Sequence, residues 1–167
     1  MELEDVFREH QQAVFAYFLR VVGNRHEAEE LTQETFFRAC GAALRYRGDG
    51  PIRHWLFGIA RRVLLEASRH GLFERTGALV EADIASPERD HDQRIDLERA
   101  FETLAPHDRE SLMLVDFLGF TPTEAASLMS VDPHAFRMRL HRARRRLRHR
   151  LEEPTHERRS ADRLAAS

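Results

Sequence analysis

Residues 121–147 read TPTEAASLMSVDPHAFRMRLHRARRRL, and this stretch decides how the rest of the chain is read. Thr121 and Glu124 stand three apart around Pro122, the pattern of a capping box with proline at the first helical position. Small Ala125 and Ala126 follow, then Leu128 and Met129, so a short helix is predicted that tolerates a close neighbour. Ser130-Val131-Asp132-Pro133 supplies a tight turn whose Asp132 can cap a second helix and whose Pro133 can open it. That helix carries Phe136, Leu140, Ala143 and Leu147 on one face. Two helices joined by such a turn make a helix-turn-helix. Between Arg137 and Arg150 the second helix holds eight arginines, His141 and His149 and no acidic residue.

The N-terminal part of the second helix of a helix-turn-helix enters the DNA major groove. The candidates there are His134, Arg137, Met138 and His141, with Arg137 able to pair with guanine N7 and O6. Arg139, Arg142, Arg144, Arg145 and Arg146 are placed to meet phosphates, which position a protein without specifying sequence. Arginine suits both tasks through its planar fork of donors. All 26 basic residues are arginine, and against 28 acidic residues they leave a net charge of -2. The near-neutral total hides local polarity.

Upstream of the motif, Leu97, Ala100, Phe101 and Leu104 mark a helix that stops near Pro106, and Leu112, Val115 and Leu118 mark another ending at Gly119. Residues 71–93 lose helical periodicity and carry two arginines against six acidic residues. Together with Gly71, Gly77 and Pro87 this reads as an acidic flexible linker. Before it, Leu3, Val6, Phe7, Val14, Tyr17, Phe18, Val21 and Val22 recur at three- and four-residue steps, a one-sided helix closed by Gly23. Asn24 can cap a second helix whose narrow apolar face is Ala28, Leu31, Thr35 and Ala39. Glu30, Gln33, Glu34 and Phe37 fall at i, i+3, i+4 and i+7 on another face of it, either a solvated side with Phe37 turned to the core or a docking stripe. A loop at 45–51 precedes a third helix through Ile52, Trp55, Leu56, Ile59, Ala60, Val63 and Leu64, where Trp55 is expected in the core.

The predicted fold is therefore all-α, with two small helical domains: residues 1–70, a linker at 71–93, a second domain at 94–153, and a disordered tail at 154–167. Enzymatic readings find no support. The sequence has no phosphate-cradling glycine loop, no GxSxG and no HExxH, so neither catalytic residues, nor a metal, nor a cofactor is expected. Cys40 is the only cysteine, which suits a reducing compartment. No stretch approaches the roughly 20 apolar residues of a membrane span, so no membrane insertion and a cytoplasmic location are expected.

Two segments resemble the extracytoplasmic-function group of sigma factors. HEAEELTQETFFRA at 26–39 is similar to the family's DAEDLVQETFLRAW in region 2, and WLFGIARR at 55–62 to its WLFRIARN. The stretch from LAPHDRESLMLVDFLGFTPTEAASLMSV to FRMRLHRARRRLRHRL resembles region 4, with Arg139 to Arg144 matching RLHRAR. The resemblance implies that region 2 clasps the clamp helices of RNA polymerase and opens the -10 element, while region 4 binds the flap and the -35 element. It puts Glu30, Gln33, Glu34 and Phe37 on the clamp helices. Arg47, Asp49, Arg53, His54, Arg61, Arg62 and Arg69 fall where the family captures an unstacked base and holds the non-template strand. His134, Arg137, Met138, Arg139, His141, Arg142 and Arg145 fall at the -35 element. It also implies silencing by an anti-sigma factor. The chain departs from the family pattern at Arg62, at Glu66 to His70, and at Met129 to Arg139, where a turn glycine and a Thr-Val-Lys-Ser face are absent. The expected activity is that of a sigma factor directing promoter recognition, melting and initiation. The alternatives are a helix-turn-helix regulator that binds DNA without polymerase, or an adaptor that binds proteins only. The C-terminal Leu164-Ala165-Ala166-Ser167 resembles small-apolar degradation tags.

Overall fold

A computed structural model describes the backbone of residues 3–71 and 91–165 and the side chains of 4–71 and 96–152. Helix α1 spans Leu3–Val22 and stops where Gly23 takes a φ of 74°. Asn24 then caps α2, Arg25–Ala42, its side-chain oxygen accepting from the Glu27 amide at 3.0 Å. A single 3-10 turn, Ala43–Arg45, leads into the loop, where the Tyr46 hydroxyl donates to the Gly50 carbonyl. Helix α3 covers Ile52–Arg69 and buries Leu56, Phe57, Ile59, Ala60, Val63 and Leu64, the stripe its spacing predicts. Trp55 is partly buried against that core, 5.1 Å from the Tyr46 ring.

The second half begins with α4, His91–Glu102, so the last residues of the segment read as linker are already helical. Helix α5, Pro106–Leu112, runs into a π-helical turn at Met113–Phe117. Helix α6 is Pro122–Leu128, and its capping box is complete: the Glu124 amide donates to Thr121 at 3.2 Å and the Thr121 amide to Glu124 at 2.8 Å. Asp132 accepts from the Ala135 amide at 2.9 Å and starts α7, Pro133–Ala165.

Two expectations change here. The tail read as disordered is helical through Ala165. Glu157, Arg158, Arg159, Ala161, Arg163, Leu164 and Ala165 favour helix and prolonging an existing helix needs no new nucleus, against which Pro154 removes one backbone donor. Ala166 and Ser167 of the tag-like end lie outside the described residues. The larger change concerns packing. One continuous buried cluster runs from Val6 through Leu64 and on to Ala143, because α1 lies against α5 and the π turn while α3 lies against α6. The two helical modules share a core. Residues 72–90, most of the predicted linker, lie outside the description.

Candidate nucleic-acid and polymerase interfaces

The α2 stripe is on the surface. Phe37 is 76% exposed, and the core position goes to its neighbour Phe36, 8% exposed and edge-on to Phe7 at 4.8 Å. A turn of 100° per residue separates the two rings, so only one of them can face inward. Glu30 and Gln33 are exposed beside Phe37. Glu34 accepts from Arg38 at 2.6 Å, and Arg38 also reaches Glu66 of α3 at 2.7 Å. The carboxylate of Glu34 is thereby fixed in place next to an unburied ring. An acidic rim around an exposed aromatic is suited to a basic helical partner with an apolar centre.

On α7 the inward residues are Phe136, Leu140 and Ala143, with Leu147 partly buried. His134, Arg137, Met138, His141, Arg142 and Arg145 face solvent, and Arg139 is half-buried. The exposed set lies on one side of the helix, and among the described residues no ion pair holds Arg137, Arg142 or Arg145. Two arginines assigned to phosphates by spacing are instead engaged internally. Arg144 forks onto Asp116 at 2.6 and 3.0 Å, and Arg146 meets Asp108 at 2.6 Å. The Asp116 contact raises the Arg144 guanidinium above its ordinary value. These pairs tie α7 to α5 and the π turn, which sets the angle of the recognition helix.

The residues read as the single-strand surface divide. Arg47, Asp49, Arg62 and Arg69 are exposed. Arg53, His54 and Arg61 are not on an open face, because the second half covers them. Arg61 Nε donates to Glu110 Oε1 at 3.0 Å, with only 12% and 3% of the two side chains exposed. The Tyr17 hydroxyl donates to the same oxygen at 2.9 Å. Burial first, then the charge of Glu110, pushes the Tyr17 phenol well above its ordinary value. His54 lies 3.3 Å from Glu124, and the Arg53 guanidinium stacks 4.0 Å over the Phe120 ring. The Thr121 amide, more than the neighbouring His54 and Arg53 side chains, holds the Glu124 carboxyl below its usual range. Phe120 also packs edge-on to Phe57 at 5.4 Å. Beside these contacts a cleft of about 570 Å³ opens between α3 and α6, reaching Arg62 and Ser130.

Sequence reasoning missed Tyr17, Glu110, Phe120 and Glu124 as members of one site. They lie on α1, α5, the loop before α6 and α6 itself, and the Tyr17 to Glu110 bond spans 93 residues. Asp108, Arg109, Glu110 and Ser111 are all buried because α5 is held between α1 and α7. The run of four polar residues ahead of Leu112 is the one local signal that could have marked it, since such groups are seldom buried unpaired, though Arg109 Nε is.

Residues 6–71 match the family model for sigma-70 region 2, and residues 94–147 the model for sigma-70 region 4. The chain is 33% identical over 154 residues to the ECF RNA polymerase sigma factor SigE of Mycolicibacterium smegmatis, covering 87% of this chain and 60% of that one. To the RNA polymerase sigma factor CarQ of Myxococcus xanthus it is 31% identical over 155 residues, covering 90% and 89%. Its fold is similar to that of the sigma factor RpoE of Bartonella quintana, solved in complex with the anti-sigma factor NepR, with a TM-score of 0.74 at 22% identity over 89% of this chain and 96% of that one.

Proposed function

The chain belongs to the extracytoplasmic-function sigma factors of the sigma-70 family, and from that premise we propose how its residues divide the work of initiation. The first half docks on the polymerase clamp helices through Glu30, Gln33, Glu34 and Phe37. Supporting this is Phe37 itself: an aromatic left 76% exposed on a helix whose other faces are packed, beside a carboxylate already fixed by Arg38. Burying a Phe side chain is worth about 1.5–3 kcal/mol, enough to make it an anchor. The second half reads the -35 element with His134, Arg137, Met138 and His141, while Arg139, Arg142 and Arg145 hold phosphates. Arg47, Asp49, Arg53, His54, Arg61, Arg62 and Arg69 serve the -10 strand once the halves part. Action on polymerase and promoter implies a cytoplasmic protein, and among the described residues no helix is long and apolar enough to cross a membrane. An anti-sigma factor covering both halves is a further partner of this reading.

Reconstitution tests it. Added to core polymerase, the protein gives promoter-dependent transcripts from its genomic targets. Replacing Glu34 and Phe37 with alanine abolishes polymerase binding while the second half still binds duplex DNA. If both changes leave transcription untouched, the helix-turn-helix regulator without polymerase is the better account.

A further inference from the structure

The contact between the halves occupies side chains assigned above to the -10 strand, and it does so with groups that resemble a nucleotide. Single-strand binding uses two elements, cations along the backbone and planar groups stacked on bases. In the closed chain Arg61 and His54 face carboxylates and Arg53 lies over an aromatic ring, one of its guanidinium nitrogens buried without a hydrogen-bond partner. Carboxylate oxygens sit 3.0 Å from Arg61 Nε and 3.3 Å from His54, distances an anionic phosphate oxygen would take. The Phe120 ring sits 4.0 Å under the Arg53 guanidinium and 5.1 Å from the His54 ring, where a base would stack. We propose that Glu110, Glu124 and Phe120 form an internal stand-in for single-stranded DNA, so that the second half and the promoter strand compete for one surface of α3.

This inference rests on the sigma reading of that surface. Competition follows from sterics alone: Glu110 and Phe120 are 2% exposed, so no strand reaches Arg61 or Arg53 until α5 and α6 move away. The apparent affinity of the free chain for a strand is then the intrinsic affinity scaled by the open fraction. Removing either carboxylate charge weakens the closed state without touching the DNA-binding cations. At position 124 glutamine still completes the capping box, so the fold of α6 is kept.

The test uses the full chain without polymerase. A short fluorescein-labelled single strand of mixed base sequence reports binding by anisotropy. In parallel, dyes on Cys40 and on a cysteine placed by Arg148→Cys, both exposed positions, report the distance between the halves by energy transfer. Expected is weak binding with high transfer for the parent chain. Glu110→Gln and Glu124→Gln lower the transfer and tighten strand binding by at least about tenfold, and adding Arg61→Ala to either removes that gain. Unchanged transfer in both variants would overturn the internal competitor while leaving the sigma reading intact. Lower transfer with no tighter binding would overturn the competition and also withdraw α3 from the proposed -10 surface.

Discussion

Tyr17→Phe removes one oxygen from the centre of the molecule. The phenol is 1% exposed and donates at 2.9 Å to Glu110, which also accepts from Arg61 at 3.0 Å and lies 4.0 Å from His107. Phenylalanine keeps the ring contacts to Phe18 at 5.2 Å and Phe57 at 5.6 Å, so no cavity of consequence opens. What is lost is a buried hydrogen bond to a charged acceptor, worth about 1.5–3 kcal/mol. At about 2–4 °C per kcal/mol for a chain of this size, the melting temperature at neutral pH should fall by about 3–12 °C, read by circular dichroism. Fluorescence of Trp55, the only tryptophan, gives an independent urea midpoint. A second measurement isolates the proton. Folded Tyr17 holds its proton well above the ordinary value of 10.0, whereas the unfolded chain releases it near that value. The contribution of this group is therefore complete below about pH 10 and is lost as pH rises towards the folded value. The stability gap between parent and Tyr17→Phe should narrow above pH 10. A neutral-pH change under about 1 °C, or a gap that stays constant into the alkaline range, would refute the reasoning.

Ser130 holds a φ of 53°, the left-handed region that glycine adopts at least cost. Ser130→Gly should stabilise the chain by about 0.5–1 kcal/mol, visible as a higher melting temperature. Thr121→Ala breaks the capping box of α6 and should cost about 1 kcal/mol in urea denaturation. Arg145→Ala should weaken duplex binding and lower the magnitude of the salt slope by about one, measured by titration at several ionic strengths. Arg144→Ala should leave that slope alone and cost only about 0.2–1 kcal/mol of stability, because its bond to Asp116 lies at a partly exposed surface.

Local chemistry made the helices readable before any coordinates. Gly23, Asn24, the Thr121–Glu124 box and Asp132 each act within four residues of themselves, and each sits where its spacing requires. The outward face of α7 was legible for the same reason, since Phe136, Leu140 and Ala143 define its inside and hence its outside. Which arginines pair internally was not, because Arg144 and Arg146 find Asp116 and Asp108 across 28 and 38 residues. The shared core was hidden for a related reason. Apolar stripes on α1 and α3 announce that something covers them without saying whether the cover is their own bundle or the other half. Glu110 shows the limit most sharply: an acidic residue in a charged helix reads as solvated, and only its long-range pairing with Tyr17 and Arg61 makes it central.

The shared core also bears on solubility. If the halves separated, the buried rings Phe57 and Phe120 would lose each other's cover and Phe101 the Arg20 guanidinium that lies over it. Such a surface is sticky in water unless another protein takes it up. An opened chain without polymerase should self-associate at high concentration, so light scattering that rises with protein concentration in Glu110→Gln, and subsides when core polymerase is supplied, is the colloidal signature of the joint between the two halves.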